Sequence, residues 1–205
     1  MTRFQDLKII TSDNLCIDYN FNNPAHPYDI FKERTLQGLT WRDPASHITG
    51  LSWSENGIKR KAFFPSIQSL TLDPASDLIL IGLHFSNTLY PHPNNGVAIN
   101  PSGSIDHQIR TPRVVRKGIY TPGKGWIEST NKINEEIFFK EKSETWIPVE
   151  IPDEGLIFQV EGIHQIETWE GRTRIHLIFG YEWCEIRYYD PLNRKWLERA
   201  GIYRQ

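Results

Sequence analysis

The feature that most constrains the fold of this chain is a series of short apolar runs separated by turn residues. Four such runs follow one another between residues 67 and 109, and the turn Asp73–Ser76 separates the first two. A second turn, Pro101–Gly103, separates the last two. Residues 160–199 have the same organisation. Short strands at regular spacing, divided by Pro, Gly, Asn and Asp, predict an all-β sandwich, barrel or propeller.

The strand boundaries follow from the turn residues. In the first unit the predicted strands are Ile67–Leu72, Asp77–Phe85, Gly96–Asn100 and Ser104–Ile109. In the second unit they are Glu161–Thr168, Arg172–Phe179, Trp183–Tyr189 and Arg194–Arg199. A short helix is the alternative for the last of these, since Asn193 can cap it and Gly201 can end it.

Earlier in the chain, Asn56-Gly57 predicts a tight hairpin turn between the strands His47–Trp53 and Ile58–Phe64. Both residues tolerate the positive φ angles that a type I′ turn requires. Pro27–Gln37 is the best helix candidate, because Pro suits a first turn and Gly38 can end the helix. The sequence therefore predicts at most one or two short helices.

Two segments resemble blades of a β-propeller. In the segment 67–109 the resemblance depends on Leu72-Asp73-Pro74 and on Asn100-Pro101-Ser102-Gly103, and in the segment 160–199 on Tyr189-Asp190-Pro191. Each segment has about the length of one four-stranded blade. The resemblance implies a small propeller-like arrangement, which we keep as the alternative. A closed barrel or a two-sheet sandwich is favoured, because it explains the alternating strands without a repeat.

Composition limits the class of protein. A chain of 205 residues is of a size typical of one domain, so we predict a single β-rich domain over residues 1–205. Seven Trp, eight Tyr and ten Phe predict an aromatic-rich core. The net charge of −2 argues against a dedicated nucleic-acid binder.

No apolar run reaches the length of a membrane span and the N-terminus lacks a secretory pattern, so we expect a cytoplasmic protein. We expect Cys16 and Cys184 to be buried free thiols.

Sequence motifs for catalysis or metal binding are missing. The chain has no dinucleotide or Walker-type phosphate loop, and no Cys-x-x-Cys pair. Gly50–Ser54 departs from the nucleophile-elbow pattern because Ser54 occupies the final Gly position. No two of the seven histidines are three or four residues apart. We therefore predict neither a metal site nor a cofactor.

The loop Ser86–Asn95 is the candidate binding surface. It is long for a hairpin connection and carries aromatic, imidazole and amide groups, and long loops on rigid β scaffolds often carry recognition. The candidate ligand-binding residues are His84, Tyr90, His92, Asn94 and His107.

These observations favour a non-enzymatic binding or interaction module for a protein or small-molecule partner. One alternative is a hydrolase or lyase whose residues converge from separate strands, with His84, His92, His107, Asp73 and Asp77 as its candidates. The other alternative is a lipocalin-like carrier that encloses an apolar ligand. A cleft that collects histidines and carboxylates would favour the enzyme. A deep apolar pocket would favour the carrier, and an exposed aromatic patch would favour the interaction module.

Overall fold

The protein is all-β in its computed structural model, which describes residues 2–19, 47–121, 125–128, 140–142, 145–147, 155–179 and 183–204. No helix occurs among these residues, and hence none long and apolar enough to cross a membrane. The described residues therefore confirm the predicted all-β class. The helix predicted at Pro27–Gln37 lies outside them.

Sixteen strands are present in the described residues, in antiparallel pairs. Their bounds are β1 Gln5–Thr11, β2 Cys16–Asp18, β3 Ile48–Glu55, β4 Ile58–Asp73, β5 Leu78–Leu83, β6 Gly96–Ile99, β7 Ile105–Ile109, β8 Arg113–Thr121, β9 Gly125–Glu128, β10 Lys140–Lys142, β11 Thr145–Ile147, β12 Gly155–Gln159, β13 Gly162–Trp169, β14 Arg172–Phe179, β15 Trp183–Asp190 and β16 Lys195–Arg204.

The strands form two main sheets. The first sheet has seven strands in the order β2-β1-β3-β4-β5-β6-β7, and the second is the meander β13-β14-β15-β16. Smaller sheets pair β12-β8-β9 and β10-β11. In the described residues β2 and β7 are open edges of the first sheet, so the sheet is not closed into a barrel. The architecture is sandwich-like, and of the two favoured alternatives the closed barrel is wrong.

The turns between the strands use one recurring chemistry. Asp73 Oδ2 accepts hydrogen bonds from the backbone N–H of Ser76 (2.7 Å) and from its hydroxyl (2.6 Å), and Asp190 Oδ1 accepts one from the N–H of Asn193 (3.0 Å). Asn100 Oδ1 accepts a hydrogen bond from the backbone N–H of Ser102 at 3.1 Å. In each turn the proline after the Asp or Asn fixes φ and the side chain satisfies the backbone. The turns predicted at these positions are confirmed.

The Asn-Gly hairpin is also confirmed, because Asn56 and Gly57 have φ angles of 50° and 80°. One prediction nearby is wrong. The sequence predicted separate strands before and after Pro65, whereas β4 runs continuously through it for 16 residues. Ser66 has a φ of 57°, and the pairing of β4 with both neighbours shifts register near it. A bulge here bends the strand without ending it.

The first sheet curls around its own core. The indole N–H of Trp53 on β3 donates to the carbonyl of Pro101 in the β6–β7 turn at 2.8 Å, so distant parts of the sheet meet. The N-terminal segment also joins distant strands of the sheet. The guanidinium of Arg3 binds Glu55 at the end of β3, and its backbone N–H donates to the side chain of Asp77 before β5. The concave face buries a large apolar cluster. Its fully buried members include Ile9, Leu51, Ile79, Ile81, Leu83, Val97 and Ile99.

The second sheet packs on the convex face of the first. Alternate residues of β5 point to opposite faces, so Leu78 and Leu80 belong to a second cluster while Ile79 and Ile81 belong to the first. All six residues of β5 are buried, which its continuous apolar sequence requires. The second cluster joins β5 to the second sheet through Ile163, Ile166, Ile175, Leu177 and Tyr189.

Strand β13 is an edge strand that contacts the first sheet through side chains. Asn95, which is fully buried, accepts a hydrogen bond from the N–H of Ile163 at 2.8 Å and donates to the carbonyl of Ile163 at 2.9 Å. Ser69 Oγ accepts one from the N–H of Ile166 at 3.0 Å. Thr168 Oγ1 donates to the carbonyl of Leu72 at 3.0 Å. Polar side chains of each layer thus satisfy backbone groups of the other, among them edge groups of β13 that would otherwise be buried without partners.

The strand predicted at Arg194–Arg199 is confirmed and its helix alternative is wrong, because β16 covers Lys195–Arg204 and pairs with β15. The segment 67–109 is a four-stranded meander, as the propeller resemblance implies, but it continues into β3 and β1 and so is no separate blade. Both cysteines are free thiols as expected, yet Cys16 is exposed and only Cys184 is buried.

Replacing Asn95 with Ala should lower the free energy of unfolding by about 2–4 kcal/mol, because it leaves the N–H and C=O of Ile163 buried without these partners. Urea denaturation followed by tryptophan fluorescence measures this loss. Asn193→Ala is the matched control, since Asn193 is exposed and bonds only within its own turn among the described residues. Equal losses in the two variants would contradict the role assigned to Asn95.

Gly96→Ala should destabilise the protein through a steric clash with the second sheet. A Cβ on Gly96 would lie 2.6 Å from Cδ1 of Ile163 and 3.1 Å from Cβ of Ile109. Such overpacking costs about 1–3 kcal/mol. Ile163→Val removes the clashing methyl group, so Gly96→Ala should cost less in that background. A double-mutant cycle in urea measures the coupling, and strict additivity would rule out this contact as the cause.

Candidate functional site

A cleft of about 290 Å³ lies where the edge strand β7 of the first sheet meets the β15–β16 hairpin of the second. Strand β7 and the residue after it supply one side, and the hairpin with its turn supplies the other. The lining residues are Asp106, His107, Gln108, Arg110, Tyr189, Arg194 and Trp196. Neither sheet forms the cleft alone, so it exists only because the sheets are packed together.

His107 is the central polar side chain of the cleft, and it is 8% exposed. Its Nδ1 lies 2.7 Å from Oδ2 of Asp106, and its Nε2 lies 2.9 Å from the hydroxyl of Tyr189. A carboxylate can only accept a hydrogen bond, so Nδ1 carries the proton. In the neutral imidazole, Nε2 then accepts from the Tyr189 hydroxyl. The ring is thereby fixed at both nitrogens.

Tyr189 is held in its protonated form. The side chain is 5% exposed, and burial raises the pKa of its hydroxyl well above the ordinary value. Burial has this effect because it disfavours the phenolate. Tyr189 therefore serves as a hydrogen-bond donor to His107 and does not act as a base.

Trp196 forms the apolar wall of the cleft. Its ring centroid lies 5.0 Å from that of Tyr189, which it faces across the β15–β16 hairpin. Its indole N–H donates to the carbonyl of Arg110 at 2.8 Å, which ties β16 to the end of β7. With its only donor engaged, Trp196 presents an aromatic surface to a ligand.

Positive charge dominates the lining. Two arginines, Arg110 and Arg194, face one carboxylate, Asp106. The side chain of Arg194 is 58% exposed, and its Nη2 lies 3.5 Å from Asp106 Oδ2. An exposed ion pair of this kind contributes little to stability, so exchanging Asp106 for a ligand anion would cost Arg194 little.

The structure separates His107 from the other candidate residues. His84 and His92 lie near each other on the loop after β5, where burial and then the charges of His47 and His92 lower the pKa of His84. Tyr90 packs against the core of the first sheet. Asn94 holds the chain after β7, because its Oδ1 accepts from the N–H and the hydroxyl of Thr111 at 2.8 and 3.1 Å. Of the five candidate residues, His107 alone is among those that line the cleft.

Loop 84–95 is ordered by its own side chains. Asn87, which is buried, donates to the carbonyl of Pro65 at 2.9 Å and accepts from the N–H groups of Leu89 and Tyr90. His92 packs against Gly162, where a Cβ would strike its ring. No group of three or more His, Cys, Asp or Glu side chains in the described part of the chain is placed to hold a metal ion.

A second polar network lies on the other face of the second sheet. His176 bridges Tyr203 (Nδ1 to the hydroxyl, 2.9 Å) and Glu167 (Nε2 to Oε1, 3.0 Å), and Arg174 also binds Glu167. Burial alone would raise the pKa of Glu167, but the hydrogen bonds from His176 and Arg174 outweigh it and the pKa is lowered. These groups satisfy one another, and none of them lines the cleft at His107.

The candidate site residues predicted from the sequence did not include Tyr189, Trp196 or the two arginines. One usable signal was present, because a four-residue turn after Asp190 places Tyr189 opposite Trp196 across the hairpin. The adjacency of Asp106 and His107 was a second signal. Nothing local connects that pair with Tyr189, which is 82 residues away.

Comparison with protein-family models, with curated proteins and with solved structures gave no match to this chain. The function must therefore be argued from the geometry.

Replacing Tyr189 with Phe should reduce the free energy of unfolding by about 1 kcal/mol at neutral pH, because Nε2 of His107 loses its partner. The loss is measured by urea denaturation. Tyr90→Phe is the control, since its hydroxyl makes no hydrogen bond within the described residues. A loss as large in the control would contradict the assignment.

The same variant should change the stability of the protein in alkali. The pKa of Tyr189 is raised in the folded state, so its contribution is fully present below the unfolded pKa of about 10. It is lost as the pH rises from there toward the folded pKa. Urea denaturation measures the free energy of unfolding at pH 8 and at pH 11. Between these two pH values that free energy should decrease less for Tyr189→Phe than for the native chain.

Proposed function

We propose that this protein is a non-enzymatic binding module whose cleft between the two sheets holds a small organic anion, either a carboxylate or a phosphate ester. The observation that supports this most is the combination of two arginines with an aromatic wall around a cleft of about 290 Å³. The arginines are Arg110 and Arg194, and the wall consists of Tyr189 and Trp196.

The size and chemistry of the cleft define the ligand class. Ligand sites typically have volumes of about 300–1,000 Å³, so a small molecule matches this one. A guanidinium presents two parallel N–H donors to a carboxylate or phosphate, which gives both affinity and orientation. An aromatic wall binds the apolar or planar body of the ligand. An anion with such a body uses both features.

Preorganisation supports binding at this place. Asp106 and Tyr189 hold His107 at both ring nitrogens, and the carbonyl of Arg110 holds Trp196. Side chains that are already ordered lose little conformational entropy when a ligand arrives. Arg194 is the exposed exception, and it is the group that we expect to close on the anion.

The hydrolase or lyase alternative has one supporting observation, the hydrogen-bonded series Asp106–His107–Tyr189. A general base must reach the proton that it abstracts, yet both nitrogens of His107 are engaged and Tyr189 stays protonated. The carboxylates proposed for such an enzyme are also engaged elsewhere. Asp73 binds Ser76 and Thr173, and Asp77 binds the N-terminal segment. Binding therefore explains the geometry better than catalysis.

The carrier alternative requires an apolar cavity inside the curled sheet. The concave face of the first sheet is instead filled by side chains, among which Leu51, Ile79 and Ile81 have no exposed surface. A lipocalin-like ligand would have to displace this core, and interiors packed at native density have little spare volume. This counts against the carrier.

Isothermal titration calorimetry with benzoate and with phenyl phosphate tests the proposal. We expect saturable binding of at least one of them, and Arg194→Ala should weaken it by about 1–2 kcal/mol, or about 5- to 30-fold in Kd. Arg172→Ala is the matched control, because it removes the same charge from a residue that binds Glu198 and Tyr188 outside the cleft. It should leave the affinity unchanged.

Benzamide, which lacks the charge, should bind at least tenfold more weakly than benzoate. If neither anion binds, or if Arg172→Ala weakens binding as much as Arg194→Ala, the cleft is not an anion site and the proposal is wrong.

A further inference from the structure

A second groove of about 290 Å³ crosses strands β1, β3 and β4 on the outer side of the first sheet. It lies near the Asn56-Gly57 hairpin and shares no residue with the cleft between the sheets. Its lining residues are Asp6, Lys8, Ser52, Trp53, Ser54, Gly57, Lys59, Arg60 and Lys61.

The strand register explains the shape of this groove. On β3, Ser52 lies between Lys8 of β1 and Lys61 of β4, and Ser54 lies opposite Lys59. Side chains of paired residues stand on the same face of a sheet. Small serines in the middle strand between long lysines on both sides therefore make a trough with basic walls.

The charge of the groove is unbalanced. Lys59 and Lys61 are exposed and form no ion pair with any described residue. Lys8 has a partner in Asp18 at 2.8 Å, but both side chains are exposed and the pair contributes little. Arg60 binds Glu55. Asp6 is the one carboxylate in the lining, against four basic residues.

The groove has an apolar end. Gly50 continues the row of small residues on β3 and lies opposite Phe63. The ring of Phe63 covers Gly50, because a Cβ there would be 2.8 Å from Cδ1 of Phe63. Phe63 is nevertheless 63% exposed, which is unusual for so large an apolar side chain on a sheet.

The spacing of these groups matches an extended chain. Lys59, Lys61 and Phe63 alternate along one face of β4, so successive members are about 6.7 Å apart and the row spans about 13 Å. A single small anion has no apolar part to contact Phe63 and leaves that end of the row unused. An extended peptide presents alternate side chains at the same interval, and four or five of its residues cover the row.

We propose that this groove binds an acidic segment of a partner protein in extended conformation, with carboxylates at two alternate positions followed by an apolar residue. The carboxylates pair with Lys59 and Lys61, and the apolar residue packs on Phe63. A nucleic acid is also anionic, but it carries a phosphate on every nucleotide, whereas the basic row of this groove is short and ends at the exposed apolar side chain of Phe63. A peptide with two carboxylates needs only this local charge.

Fluorescence anisotropy with a fluorescein-labelled heptapeptide of sequence Ser-Glu-Ser-Glu-Ser-Leu-Ser tests the proposal. We expect saturable binding that weakens as salt is added. Lys61→Glu should raise the Kd at least fivefold, and Lys59→Glu/Lys61→Glu should raise it more than tenfold. Lys195→Glu reverses the charge of an exposed lysine on the second sheet and should change the Kd less than twofold.

The apolar contact has its own control. Phe63→Ser should weaken the binding of the Leu-containing peptide. It should leave unchanged the affinity for a peptide that has Ser in place of Leu. The proposal is overturned if the peptide does not bind, if Lys195→Glu and Lys61→Glu have equal effects, or if a labelled dT oligonucleotide binds more tightly than the peptide and depends on Lys61. Lys59, Lys61 and Phe63 lie outside the cleft at His107, so their variants test this groove independently of the proposed anion site. Lys195 adjoins Arg194 and Trp196, so weaker binding in Lys195→Glu than in Lys61→Glu would place the peptide in the cleft and overturn the groove proposal.

Discussion

The close contact of strand β13 with the convex face of the first sheet is the constraint on which the rest of the structure depends. An edge strand leaves N–H and C=O groups unpaired, and burying them costs free energy unless partners are supplied. Here the partners are side chains, because Asn95 binds both backbone groups of Ile163 and Ser69 binds the N–H of Ile166. Side chains this short reach a backbone only if the two layers are close. Gly96 allows that approach, since any Cβ would meet Ile163.

The cleft at His107 is a consequence of the same contact. Strand β13 begins the meander that ends in the β15–β16 hairpin, so fixing β13 on the first sheet also fixes where Tyr189 and Trp196 lie. Both hydrogen bonds that close the cleft cross from one sheet to the other, from Tyr189 to His107 and from Trp196 to the carbonyl of Arg110. The geometry of the cleft therefore depends on the contact between the two sheets.

The sequence predicted what local physics determines and missed what distant contacts determine. Turn chemistry is local, so the bounds of β5, β6 and β7 agree with prediction within one or two residues. Pro65 was a misleading signal, since a proline usually ends a strand, whereas here a bulge at Ser66 lets β4 continue. Of the candidate residues only His107 lines the cleft. Its partner Tyr189 comes from another sheet, and no pattern within either segment encodes that pairing.

The net charge of the chain is a poor guide to what it can recognise, because its acidic and basic residues have different positions. Many carboxylates of the described residues have internal partners in turns and ion pairs; these include Glu55, Asp73, Asp77, Glu167, Glu185 and Asp190. Several cations, by contrast, stand beside grooves, namely Lys59 and Lys61 on the first sheet and Arg194 at the cleft. These carboxylates remain charged but line neither groove, and salt screens the field of a charge beyond about 10 Å. A net charge of −2 is therefore compatible with the two anion sites that we propose, because the electrostatics of each groove follows from its own lining residues.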